Sequence, residues 1–326
     1  MGKEILKLKN ITVEFQLRQG IIRAVDNVSL DVFRGEIIGV VGESGSGKST
    51  LASTLLNMVS APGIIKNGEI YYQDKEMLKL SEEEYRQYRS RDISMVFQAA
   101  QNALNPVLTI RDHFFDTVKA HSNMSEKEIV DKACMLMEYV RLQPKQVLDS
   151  YPHQLSGGMR QRVIIALSLM LDPNILILDE PTTALDVITQ AYIIDLLANI
   201  HNDSDITMLF LTHDLSIIAK IADRVAVMYA GNIVEVGTVE DIFYNPIHPY
   251  TSGLIHAIPS LVDDLSARRP IPGSPPNLLD LPDGCRFAPR CGYHLGGFCD
   301  GTVQGDLVEV MPGRFSTCLE WERMVK

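Results

Sequence analysis

The sequence has no excess of positive charge. Its formal net charge is −11 and its pI is near 5.2. That argues against a nucleic-acid binder, which needs basic surface to neutralise phosphates. Long apolar runs are also missing. The best candidate, Val163 to Leu171, stops at Asp172-Pro173, well short of the ~18 residues of a spanning helix. No apolar h-region follows Met1-Gly2-Lys3-Glu4, so no secretory signal is expected. These gaps together predict a soluble protein whose membrane contact is peripheral. Cysteine is scarce over most of the chain. Of 5 cysteines, Cys134 stands apart, while Cys285, Cys291, Cys299 and Cys318 crowd the C-terminal end. In a non-secreted chain such a cluster points to metal binding rather than disulfides. What remains is a 326-residue chain with 46% hydrophobic residues, enough for one large domain or two with a real core.

The chain is organised around Gly42-Glu43-Ser44-Gly45-Ser46-Gly47-Lys48-Ser49, a phosphate-binding loop of the form G-x-x-x-x-G-K-[ST]. Its context fits. Ile37 to Val41 has strand character, and Thr50 to Val59 reads as a helix. Glycines let successive N–H groups face phosphate oxygens. Lys48 supplies a point charge to the β/γ-phosphates, and the Ser49 hydroxyl suits Mg²⁺. An ATP site of this kind places the protein in the cytosol.

Leu6, Leu8, Ile11, Val13 and Phe15 alternate as a half-buried strand, and Val28 to Val32 repeats the pattern. Phe15 ends its strand, where a base-stacking role and a core or edge role weigh equally. Gly68 to Tyr72 reads as a strand, Ser81 to Glu84 as a helix start, and Ile93 to Phe97 as a strand ending at Gln98. From Thr109 to about Asp149 the chain is helical, with a capping box at Ser125–Glu128. Ile129, Ala133, Leu136, Met137 and Val140 form its apolar face, and Cys134 reads as a buried small hydrophobe. This stretch looks like a helical subdomain inserted in an α/β core.

Leu155-Ser156-Gly157-Gly158 opens a second anion-ready helix, with Ser156 a good N-cap. Ile175 to Leu178 is a run of four aliphatics, a fully buried parallel strand. It delivers Asp179 and Glu180 at its C-terminal end, where α/β ligands bind. Asp179 would hold Mg²⁺ and Glu180 would polarise the attacking water. A helix is expected from Ala184 through Ile200. Another buried strand, Ile206 to Leu211, leads to His213, within reach of a γ-phosphate on this reading. Val225 to Tyr229 and Ile233 to Val236 flank a hairpin signal at Ala230-Gly231-Asn232.

With Gly42–Ser49, Gln98, Leu155–Gly158, Ile175–Glu180 and His213 in this order, the chain resembles the ATP-binding subunits of ABC transporters over about residues 5 to 260. The resemblance implies an α/β P-loop NTPase core with an antiparallel β subdomain, an inserted helical subdomain at about 100–170 and an irregular Cys-rich extension at 261–326. It implies roles as well. Phe15 matches the aromatic stacked on adenine. Gly42 to Ser49 and Thr50 cradle the phosphates, with Lys48 catalytic beside Glu180 and His213. Ser49, Gln98 and Asp179 match the Mg²⁺ ligands, and Gln98 also senses the membrane subunit. Ser156, Gly157 and Gly158 would bind ATP held by the opposite subunit, and Asp186 communicates across the dimer. ATP binding would close that dimer and hydrolysis would open it.

The tail narrows the resemblance. It holds ten of the chain's 16 prolines from Pro246 onward, so irregular structure is expected. Asn245 to Thr251, Ile271 to Leu278 and Gly284 to Cys291 look like the oligopeptide/dipeptide branch of importers. The four-cysteine spacing, x₅, x₇ and x₁₈, suits iron–sulfur or Zn²⁺ equally. The resemblance implies a [4Fe-4S] cluster in a structural role. It also implies a second ATPase subunit, identical or different, two transmembrane permease subunits and an extracytoplasmic substrate-binding protein, at the cytoplasmic face of the membrane. Nickel or oligosaccharide import is the alternative cargo. A nucleic-acid- or ribosome-linked ABC ATPase is the alternative of another class, disfavoured by the acidic charge and single phosphate loop. A redox protein with a secondary ATP site is disfavoured because no second redox feature is present. After Gln98, Ala99-Ala100-Gln101-Asn102 departs from the acidic or amide residue many peptide importers carry there.

Overall fold

The computed structural model describes residues 2–98, 103–257, 271–294, 296, 299–301 and 305–324. The chain divides into two compact units: residues 1–79 with 210–326, and residues 80–209.

The first unit opens on two long strands, β1 (Glu4–Leu17) and β2 (Gly20–Phe33), paired antiparallel. The apolar alternation of β1 slips phase between Leu8 and Ile11. The cause is a bulge: pairing jumps from Leu8↔Leu30 to Ile11↔Val28, with Asn10 left-handed at φ 50. Asparagine tolerates that region better than most residues. β3 (Ile37–Val41) is wholly buried and leads into α1 (Lys48–Thr54). This helix is shorter than the expected span to Val59. Its last turn tightens, with Leu56 and Asn57 N–H groups reaching back three residues, and Asn57 turns left-handed. β4 (Gly63–Tyr72) begins five residues earlier than the apolar pattern suggests, pairs antiparallel with β1, and is followed by the short β5 (Lys75–Glu76).

The second unit starts with α2 (Glu82–Arg86), capped by the Ser81–Glu84 box. β6 (Ile93–Val96) pairs parallel with β7 (Ile175–Asp179). Between them lie α3 (Ile110–Lys119), α4 (Glu126–Tyr139), α5 (Pro144–Val147) and α6 (Gly157–Ser168). Both α3 and α4 begin with complete capping boxes, Thr109–Asp112 and Ser125–Glu128. Ile129, Ala133, Leu136, Met137 and Val140 are all buried. Cys134 is half-buried rather than enclosed, because its position flanks that stripe. α7 (Val187–Ser204) starts on the Asp186 N-cap. β8 (Thr207–Thr212), buried throughout, crosses the division between the units.

The first unit resumes with α8 (Leu215–Ile221), β9 (Arg224–Tyr229) and β10 (Asn232–Thr238). Tyr229 pairs with Asn232 across a two-residue turn. Ala230 and Gly231 both have positive φ, the geometry that matches strand twist in tight hairpins. β9 runs parallel to β3, with Val41 opposite Val227. Then come α9 (Val239–Tyr244) and α10 (Pro249–Ala257). The tail is more regular than its proline content predicts. β11 (Val308–Met311) and β12 (Arg314–Ser316) form a hairpin, and β12 pairs with β10 at Glu235↔Ser316. No helix among the described residues is long and apolar enough to cross a membrane.

Candidate functional site

In the first unit, β3 ends directly at the loop Gly42–Ser49. Gly42 has φ 156, and a Cβ there would lie 2.1 Å from the Met228 carbonyl oxygen on β9. Only glycine lets the loop approach that closely. Gly47, at φ 104, is equally hemmed in by the Ala24 carbonyl at 2.2 Å. The loop is tied to the β9–β10 turn by the Gly231 N–H, which donates to the Ser46 carbonyl at 2.9 Å. Lys48 is buried, and its ammonium donates to the carbonyls of Gly42 (2.8 Å) and Glu43 (3.1 Å). Ser46 is buried, Ser49 and Thr50 are half-buried, and Ser44 and Gly45 are exposed. The loop thus presents a rim of backbone around one held cation, a donor set suited to phosphate oxygens.

Two residues from the far end of the chain hold Glu43, and sequence reasoning gave neither a role. Arg290 donates to both carboxylate oxygens, NH1 to Oε2 at 2.8 Å and NH2 to Oε1 at 3.0 Å. The Tyr250 hydroxyl accepts the Glu43 N–H at 3.0 Å. Arg286 donates to the Ala230 carbonyl and to Asp26. Phe15 is half-buried beside Gly63, where an added Cβ would meet its ring at 2.8 Å. His213 is exposed just after β8, ahead of the Asp214 N-cap of α8.

In the second unit, β7 delivers Asp179 and Glu180, both buried. Glu180 sits at φ 49, a left-handed conformation that non-glycine residues adopt at a cost. The Thr183 hydroxyl donates to its carboxylate at 3.1 Å. Ser156 caps α6, accepting the Met159 N–H at 3.3 Å. Gly157 and Gly158 form its first turn, half-buried. Asp186 is exposed and accepts the N–H groups of Ile188 and Thr189. Gln98 is exposed past β6; the departure at Ala99–Asn102 lies outside the described residues.

The four tail cysteines line one cavity of about 40 Å³, together with His248 and Phe287. Burial pushes the thiols of Cys285 and Cys291 above their usual range, and that of Cys318 up to about 11. Such thiols stay protonated at neutral pH, and binding a metal would release their protons. Among the described residues no group of three or more His, Cys, Asp or Glu is gathered closely enough to hold a metal ion.

The family described as ABC transporter matches residues 25–183, and the C-terminal region of oligopeptide/dipeptide transporters matches residues 234–299. The chain is 48% identical to the dipeptide transport ATP-binding protein DppD of Caldanaerobacter subterraneus, over 89% of this chain and 90% of that one. It is 40% identical to the oligopeptide transport ATP-binding protein OppD of Escherichia coli, over 97% and 93%. Among solved structures, the dimeric bacterial ABC transporter cassette MJ0796 superposes with a TM-score of 0.63 at 31% identity, covering 72% of this chain and 99% of that one. A second structure of the same cassette, a dimer bound to ADP and Pi, matches equally well. The fold is therefore the ABC cassette form of the P-loop NTPase, and the chain belongs to the ABC transporter ATPases of the oligopeptide/dipeptide transporter type.

Proposed function

We propose that this chain is one ATPase half of a peptide importer, and that its cargo is oligopeptides or dipeptides. The observation that carries the catalytic reading is the end of β7. Two adjacent carboxylates are buried there, and the second is held in a strained backbone conformation, a feature that concentrates at functional sites. Lys48 and the N–H groups of residues 42–50 bind the triphosphate, and Phe15 stacks on adenine. Ser49, Gln98 and Asp179 are the magnesium ligands; the ion, when bound, offsets charge on the phosphate oxygens. Glu180 takes the proton of the attacking water, and His213 contacts the γ-phosphate. Ser156, Gly157 and Gly158 serve ATP bound to the opposite subunit, and Asp186 links the two halves. The dimeric state of the solved cassette supports this arrangement.

Residues 1–260 are read as the cassette, with its helical subdomain at about 100–170, and 261–326 as the extension. The boundary falls in 258–270, outside the described residues. The partners are a second ATPase subunit, two permease subunits and an extracytoplasmic binding protein, with this chain peripheral on the cytoplasmic face. Cys285, Cys291, Cys299 and Cys318 would hold a four-thiolate centre. A [4Fe-4S] cluster is the reading adopted, on the resemblance of the tail; the shared cavity and the four thiols suit it and zinc alike. When bound, the centre cross-links a segment rich in proline and glycine.

Glu180→Gln tests the catalytic core. ATP should bind and persist unhydrolysed, and the chain should shift to a dimer on sizing; near-wild-type turnover would remove Glu180 from its role. Anaerobic purification with iron, sulfide and zinc analysis tests the tail. One zinc and no iron would replace the cluster with a zinc site.

A further inference from the structure

We propose that Arg290 is a positioning residue for the phosphate loop: by neutralising and orienting Glu43 it sets the affinity for ATP. The inference rests on reading Gly42–Ser49 as the nucleotide site. Glu43 is the second residue of that loop, a position where the loop pattern itself asks for no particular side chain. Every polar group of Glu43 nevertheless has a partner. Its carboxylate takes both arms of the Arg290 fork. Its N–H donates to the Tyr250 hydroxyl. Its carbonyl accepts the Lys48 ammonium at 3.1 Å.

Arg290 is itself fixed from several sides. It is buried, its Nε donates to the Pro272 carbonyl at 2.8 Å, and its NH1 also reaches the Tyr229 hydroxyl at 3.3 Å. The rings of Tyr229 and Phe287 lie within 6.0 Å of its guanidinium. A planar bidentate pair between a pinned guanidinium and a carboxylate has strict orientation as well as strength. Glu43 is therefore held neutralised by Arg290, while its own carbonyl accepts the Lys48 ammonium five residues on. Without Arg290 a free carboxylate would compete for that ammonium and repel the triphosphate. Arg290 directly precedes Cys291, so the same short segment that lines the cysteine cavity also steers the loop.

The test uses the full-length chain and equilibrium binding of MgATP, with KM and kcat measured in parallel. Arg290→Met should raise the ATP Kd and KM by about tenfold, the scale of a charge-assisted hydrogen-bonded pair, with little change in kcat. Adding Glu43→Gln to Arg290→Met should bring Kd back to within about threefold of wild type, because the unpaired charge is gone. A merely structural arginine gives no such rescue. Wild-type Kd in Arg290→Met, or a double variant as weak as the single one, would overturn the proposal. If Arg290→Met fails to fold, Arg290→Lys carries the test. It keeps the charge without the fork, and its Kd should lie between wild type and tenfold weaker, whereas an unchanged Kd would refute the role. Lys48→Ala separates the two readings. If it binds ATP normally, the loop itself is misassigned; if it loses binding while Arg290→Met does not, only the positioning role falls.

Discussion

Gly158, in the first turn of α6, lies against Thr189 of α7. A Cβ on Gly158 would sit 2.7 Å from the Thr189 methyl and 3.7 Å from its hydroxyl. The same hydroxyl donates to Asp186 at 2.7 Å. The helix end carrying Ser156 and the residue capping α7 therefore share one contact point. Gly158→Ala should destabilise the chain by about 1–3 kcal/mol, the range for overpacking. Thr189→Ser removes the obstructing methyl and keeps the hydroxyl, so the double variant should regain most of the loss. Denaturant midpoints of the four proteins check this; absence of rescue would place the cost elsewhere.

The Thr183 hydroxyl fixes one oxygen of Glu180. Thr183→Val keeps the shape and removes the donor. ATP affinity should hold while kcat falls severalfold, because an unanchored carboxylate spends less time aligned with water. Thr183→Ser should retain most of the rate. A Thr183→Val enzyme with unchanged kcat would show that the left-handed backbone alone orients Glu180.

His121, just past α3, titrates below its ordinary value, first because it is partly buried and then because Arg86 and Arg91 repel its charged form. The folded pKa is thus lower than the unfolded one, and the unfolded chain takes up the proton first. Stability tied to His121 is complete above about pH 6.5 and declines as pH falls through that value. Urea midpoints from pH 7.5 to 5.5 should drop more for wild type than for His121→Gln. Parallel curves for the two proteins would rule out the contribution.

Cys318 lies two residues past the end of β12, and the Thr317 N–H between them donates to the Val234 carbonyl at 3.0 Å. One of the four thiols therefore sits just beyond a sheet strand, and the other three on irregular chain. On the proposed four-thiolate centre, Cys318→Ser should lower bound metal and the thermal midpoint while leaving the Thr317 amide protected from hydrogen exchange. Full metal content in that variant would remove Cys318 from the ligand set.

The parts of the fold legible in the sequence were those encoded locally. The alternation of Leu6, Leu8, Ile11, Val13 and Phe15 marked β1 as a strand, while the bulge at Asn10 came only with the pairing to β2. The capping box of α4 was visible as Ser-x-x-Glu, and Ser81 to Glu84 marked the start of α2. The four aliphatics of β7 marked a strand buried on both faces. Element ends were less legible: α1 stops at Thr54 because Asn57 turns left-handed, and apolar periodicity does not encode that. Prolines and glycines in the tail hid β11 and β12, since two strands of four and three residues are too short to show a period.

The sequence alone determined the chemistry on offer: a glycine-rich loop ending in Lys48-Ser49, a capped Ser-Gly-Gly helix start, a strand ending in two carboxylates, and four late cysteines. Each depends on neighbours a few residues apart, where chain geometry leaves few alternatives. Tertiary structure alone decided what holds these pieces in place. Arg290 grips Glu43 across 247 positions, Thr189 limits what can stand at Gly158, and β10 recruits β12. Such contacts join side chains whose separation along the chain carries no period, so only packing and hydrogen-bond satisfaction in three dimensions select them.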